Sequence, residues 1–483
     1  MSHRIQFGFC LLVLSVACVP CVRAQSGGTP DQTQPPQQTQ QPAGPEQPIG
    51  AESQTQENNS ADANTIPAIV TPDTEIPPLS GVLLPSFGVP IEHSYIQPRF
   101  DFQSAWSSNG EYSADGNPAE SSAMQTILGG VTIQKVGRRN ELEVDYQGGR
   151  SFFSNGAIPD STIQNFGLTD KWIGMRWSGT LADQMSYSSD PIFGAGIGST
   201  SLSQTGVNIQ PVFSPGQSVI VPRTPTLNNT TAAEADYQMS LRTSLTFVGT
   251  YSFLHYYGPG LINSGATNAQ FGYNYRLTAR DTIAGIYRFG LLNFSGRLQS
   301  ITQNVIEFSY GRTFGQRWKL QVSGGPNIAL IHQKTMPTQN YFSWTLTTNL
   351  SYQAGQRTTV SANYTHALTG GAGAFLGGTN DSLNTSVTYQ FSRNWTGNLN
   401  AGYMRTATLP IQTTIPANAI DTLAGGAGIT RQVGKSFSLG LTYAGYYQVS
   451  GKPICTTPSC GTNLNYQNIS VVFGWHPVAV PID

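Results

Sequence analysis

Charge is what this chain lacks most. Asp, Glu, Lys and Arg make up 11% of its 483 residues, against roughly 25% in soluble domains. The formal net charge is -1, so no basic field is present and nucleic acid is not an expected partner. Hydrophobic residues reach only 38%, which argues against a protein built from spanning helices. The apolar run from Phe7 to Val19 is too short to cross a bilayer as a helix. Cysteine is scarce: of five, Cys10, Cys18 and Cys21 lie within the first 24 residues. No cluster of His, Cys and Asp has metal-ligand spacing, so neither a metal nor another cofactor is expected.

What is present begins with a leader. His3 and Arg4 precede the apolar run, Pro20 breaks it, and Val22-Arg23-Ala24 has the small-residue spacing of a signal-peptidase site. Residues 1–24 read as a signal peptide. Residues 25–90 are rich in Pro, Gln and Thr and almost free of aromatics. Such a segment cannot bury enough apolar surface to offset its ordering entropy. A disordered periplasmic spacer is expected there. Contact with peptidoglycan or another envelope protein is the alternative use, although composition names no partner.

From residue 91 to 477 the pattern changes. Ala269, Phe271, Tyr273, Tyr275 and Leu277 are apolar, while Gln270, Gly272, Asn274 and Arg276 between them are small or polar. Successive side chains of a strand point to opposite faces, so such a segment has one apolar and one wet face. The alternation recurs about eighteen times (16–20), with strands expected, for example, at 302–313, 317–330 and 342–353. Tight connections such as Gly174-Met175-Arg176, Ala279-Arg280-Asp281 and Gly434-Lys435 alternate with longer Gly/Asn/Pro-rich ones. Trp177, Trp318, Trp395 and Phe437 follow tight turns, where a membrane boundary would hold amphipathic rings. The fold class this predicts is all-β: a transmembrane antiparallel up-and-down barrel, with residues 478–483 as a tail.

If the apolar phase faces lipid, the other phase lines the lumen. It carries the acids Asp101, Glu143, Asp145, Glu234 and Asp236 and the bases Arg276, Arg288 and Lys319. Charges are tolerated in a wet lumen and costly against lipid. Two opposed arcs would order water and favour polar solutes, or the charges would pair with neighbours and solvate the wall. The long connection 189–231 holds Ile192, Phe193, Val212, Phe213 and Val219-Ile220-Val221, enough apolar surface to fold into the mouth. Cys455 and Cys460 flank Thr-Thr-Pro-Ser in another loop, and an even pair in an exported chain predicts a disulfide.

No catalytic constellation emerges. His255, His332 and His366 fall near one end of their strands, with no G-x-S-x-G elbow. The run Gly370-Gly371-Ala372-Gly373 precedes no helix and is not a phosphate loop. An enzyme is not expected.

Leader, alternating strands, basic tight turns and long opposite loops together resemble bacterial outer-membrane β-barrels of the porin type. The resemblance is architectural, and no residue motif carries a site across. It implies the outer membrane of a diderm bacterium, outer-membrane lipid as a partner, and a passive channel for small polar solutes. The alternative is an envelope interaction protein, an adhesin or polysaccharide-export partner, anchored by the barrel. In one departure from the pattern, Phe473-Gly474-Trp475 is followed by eight further residues.

Overall fold

A computed structural model of the chain describes residues 79–81, 83–84, 93–109, 120–154, 158–188, 208–209, 224–258, 261–297, 299–315, 317–334, 336–370, 376–409, 419–450 and 463–482. Cys455, Cys460 and most of the 189–231 stretch lie outside them, and residues 226–231, expected in the connection, belong to a strand.

Eighteen strands of 12 to 18 residues form a closed antiparallel barrel. They are β1 (Tyr95–Ser107), β2 (Ser122–Val136), β3 (Asn140–Phe153), β4 (Ser161–Ile173), β5 (Trp177–Ser188) and β6 (Thr226–Gln238). Next come β7 (Thr243–Tyr256), β8 (Ser264–Arg276), β9 (Asp281–Phe294), β10 (Gln299–Phe314), β11 (Trp318–Gln333) and β12 (Met336–Gln353). The last are β13 (Thr358–Thr369), β14 (Gly378–Ser392), β15 (Trp395–Thr408), β16 (Ala419–Val433), β17 (Phe437–Ser450) and β18 (Leu464–Trp475). Each strand pairs with the next, and β1 closes the ring on β18 from Phe100↔Trp475 to Ser107↔Asn468. Beyond Trp475 the chain stays on this seam. Gln97 Nε2 donates to Pro477 O at 2.9 Å, and Val480 and Pro481 pair with Ile96 and Tyr95.

The period-2 pattern places every strand. On β8, Gln270, Gly272 and Asn274 are buried, whereas Phe271 and Tyr273 stand exposed. A barrel wall curves toward its lumen, so the buried phase is the inner one and the exposed aromatics point out. The tight turns meet their local demands. Gly315, Gly355 and Gly434 have φ of 61°, 78° and 71°, a region glycine enters without a Cβ clash. At the β8–β9 turn, Thr278 Oγ1 accepts from Arg280 N at 3.1 Å and Asp281 N at 3.0 Å. The aromatics after the turns form an outward belt at that end. Trp177 packs on Tyr237 at 4.6 Å, Trp318 stacks on Tyr352 at 3.9 Å, and Arg431 lies 5.4 Å over Trp395.

One region is taller than its sequence predicts. β10, β11 and β12 continue past the expected ends, and only residues 334–335 separate Gln333 from Met336. The extension is short and mostly polar, with Ile301 and Ile331 as its inward apolar residues, so hydrophobic alternation does not mark it. Cross-strand bonds hold it instead, such as the 2.9 Å contact of His332 Nδ1 with Thr338 Oγ1.

Candidate functional site: the inner wall

The eight charged residues singled out above differ in burial. Asp101, Asp145 and Glu234 are buried. Glu143, Asp236 and Arg288 are partly buried, and Arg276 and Lys319 are exposed at the turn end. Several of them are paired or hydrogen-bonded to neighbours on the wall. Arg99 Nη2 reaches Asp145 Oδ1 at 2.6 Å, and Thr132 donates to the other carboxylate oxygen at 2.7 Å. Asp101 takes Gln147 Nε2 at 3.1 Å and lies 3.2 Å from His476 Nε2. Asp236 accepts from Thr246 Oγ1 at 2.6 Å.

The most connected cluster spans β8 to β12. Both terminal nitrogens of Arg288 reach Glu307 at 3.2 Å. Thr345 Oγ1 donates to Glu307 Oε1 at 2.8 Å, and Arg288 Nε donates to Gln270 Oε1 at 2.8 Å. A two-pronged pairing fixes the guanidinium plane as well as its position. Since Gln270 accepts from Arg288 through its carbonyl, its amide nitrogen must point away, toward the lumen.

That amide nitrogen meets the chain itself. Residues 79–81, within the segment the sequence assigns to the spacer, lie against the inner wall. Gln270 Nε2 donates to Ser80 O at 2.5 Å. Asn274 Oδ1 accepts from Ser80 N at 3.2 Å and Ser80 Oγ at 2.9 Å. Gln321 Nε2 donates to Leu79 O at 3.3 Å. Leu79 packs on Ala284 and Ile286. Two residues beyond Gly81, Leu83 and Leu84 pair antiparallel with Ile209 and Asn208. Two residues span at most about 7 Å, so this part of the 189–231 connection reaches down into the barrel.

At the opposite end, inward Leu292, Phe294, Ile301, Ala329 and Ile331 cluster with Leu368 and Leu409. Gln299 Nε2 donates to Leu376 O at 2.6 Å, fastening the β13–β14 connection onto this cluster. The histidines find other company. His366 Nδ1 lies 2.7 Å from Asp381 Oδ1 and its ring stacks on Trp344 at 4.0 Å, on the outer face. His255 Nδ1 meets Asn263 Nδ2 at 2.9 Å. Among the described residues, no group of three or more His, Cys, Asp or Glu could hold a metal ion.

Alternation does not mark Arg99, Glu307, Gln270, Asn274 and Gln321 as members of one network. Their partners lie on other strands or before the barrel, and only the register brings them together.

No protein-family model matches the chain, and no curated protein matches it. Solved structures similar to it are outer-membrane barrels. OccK2 (OpdF) of Pseudomonas aeruginosa in complex with glucuronate is similar over 79% of this chain and 98% of that one, at 10% identity and a TM-score of 0.43. OpdK of the same organism, with vanillate, covers 79% and 98% at 10% identity and a TM-score of 0.40. The ferric citrate transporter FecA covers 78% of this chain and 63% of its own at 8% identity and a TM-score of 0.40. None of them supplies a site residue for this chain.

Proposed function

We propose that the protein is a passive channel for small polar solutes in the outer membrane of a diderm bacterium. One observation carries the reading: the closed barrel has an apolar, aromatic outer phase and a polar, hydrogen-bonded inner phase. A closed sheet leaves no unpaired edge, which allows it to stand in hydrocarbon, and its outward apolar phase fits lipid. Eighteen strands enclose room for more than their own side chains. In this reading Asp101, Glu143, Asp145, Glu234, Asp236, Arg276, Arg288 and Lys319 line the lumen, with the tight turns on the periplasmic side. No step of covalent chemistry is assigned.

The anchor reading has an observation in its favour: the lumen holds residues 79–81 of the chain itself. Reconstitution in a planar bilayer separates the two. A channel gives discrete ion-conducting steps with the purified protein. A folded barrel that passes no current, even after deletion of residues 195–225, is an anchor.

A further inference from the structure

The wall that holds residues 79–81 addresses their main chain. One acceptor, Asn274 Oδ1, faces the Ser80 N–H, and two donors, Gln270 Nε2 and Gln321 Nε2, face the carbonyls of Ser80 and Leu79. Side chains are accommodated by the absence of wall atoms. A Cβ on Gly311 would stand 2.7 Å from Leu79 Cδ2, and one on Gly272 would overlap the Ser80 side chain. A Cβ on Gly81 would meet Glu234 Oε1 at 2.5 Å. Ser80 is 0% exposed and Leu79 8%. The surface is thus matched to three features: an apolar residue, then a small one, then glycine, with the backbone groups between them satisfied.

We propose that this patch of the inner wall, formed by Gln270, Gly272, Asn274, Gly311 and Gln321, is a binding site for a short peptide turn, filled in cis by Leu79–Gly81, whose Leu79 and Ser80 form such a turn. It deepens the channel reading by naming short peptides as the solute class, and it rests on that reading only for transport. The physical case is the pattern of contacts. Peptide amides are common to every sequence, so a wall that reads them with fixed side-chain amides is built for a polypeptide. Gln270 is held in that orientation by Arg288, and Arg288 by Glu307, so the donor exists before the ligand arrives. A tethered segment has an effective concentration on the order of millimolar. Weak intrinsic affinity is enough for occupancy, and a free peptide competes only at a similar concentration.

The test uses the full chain, refolded in detergent, and a labelled synthetic peptide carrying the sequence of residues 76–84. The variant L79E/S80E places two carboxylates where the wall has an acid and no room. All barrel strands are untouched, and heat-modifiable gel mobility verifies folding. Fluorescence anisotropy should show the peptide binding this variant at least about tenfold more tightly than the intact chain, whose site is occupied. Adding Asn274→Ala to the variant should weaken binding by about tenfold, as for loss of a buried hydrogen-bond partner. A peptide of scrambled order should not bind. Equal binding of the scrambled peptide, or no binding to the folded variant, overturns the site. Current in a planar bilayer is read separately. Peptide binding without current keeps the site and removes the channel, whereas current without peptide binding keeps the channel and removes the site.

Discussion

Arg288 and Glu307 illustrate what a single residue does in this wall. The pair is nearly neutral as a unit, with side chains 14% and 6% exposed, so neither charge projects far while the other is present. Arg276 and Lys319 sit exposed at the turn end, where salt screens them within about 8 Å. Replacing Arg276, Arg288 and Lys319 with Gln should therefore shift the reversal potential toward cation selectivity, with Arg288→Gln supplying the largest share because it uncovers Glu307. Glu307→Gln should shift it the other way. Equal shifts from all three single substitutions would show that the Arg288–Glu307 pairing does not govern the lumen field. Alternation alone set Arg288 in the polar phase of its strand. Its partner was not legible, because Glu307 lies 19 positions away and the pairing depends on how β9 registers against β10. Cys455 and Cys460 are a purely local matter. A disulfide between them closes a very short loop, so its removal should leave barrel stability almost unchanged. Mass spectrometry of non-reduced protein should show the linked peptide, and free thiols in freshly exported material would contradict it.

Strands were the most legible elements, since each must present a lipid face and a wet face and this constraint is written into every second residue. β5 starts at Trp177 and β17 at Phe437, just after the tight connections Gly174-Met175-Arg176 and Gly434-Lys435 that the sequence marks. Legibility fails where an element leaves the hydrocarbon. The tops of β10 to β12 mix polar residues with inward Ile301 and Ile331, so no clean alternation marks them and pairing reveals them. Leu79–Gly81 failed for a different reason. A three-residue segment has no periodicity, and its Pro-rich neighbourhood reads as spacer. Only the contact with Gln270, Asn274 and Gln321 shows that it is docked. The apolar residues that single out the 189–231 connection lie outside the described residues, and within its interior Asn208–Ile209 pairs with Leu83–Leu84. Deleting residues 195–225 removes one end of that pairing and the apolar stretches expected to narrow the mouth. We expect single-channel conductance to rise clearly over that of the intact chain. An unchanged conductance in a folded deletion mutant would place the narrow point elsewhere, at the apolar cluster around Ile301 and Leu409.

At the scale of the whole molecule, closure decides what the barrel is. β1 and β18 pair antiparallel, as every neighbouring pair does, and the chain beyond Trp475 adds Val480–Pro481 to the seam. With no edge left open, the outward aromatics of β5, β11 and β15 define one rim, and the connections that reach Leu376 and Leu409 define the other. The two rims are unequal. One carries basic turns of a few residues, and the other carries the longer connections. In an outer membrane assembled from the periplasm, short turns remain on the inner side and long connections cross. This orientation can be read directly on cells. Tyr257 and Ser295 are exposed at the long-connection rim, and Met175 and Leu241 are exposed at the turn rim. Cysteines introduced at Tyr257 and Ser295 should react with a membrane-impermeant maleimide on intact cells. Cysteines at Met175 and Leu241 should react only after the outer membrane is permeabilised, because the reagent must reach the periplasm. Reversed labelling would invert the barrel. Equal labelling of all four positions on intact cells would mean that no membrane separates the rims, and both the channel and the anchor readings would fall together.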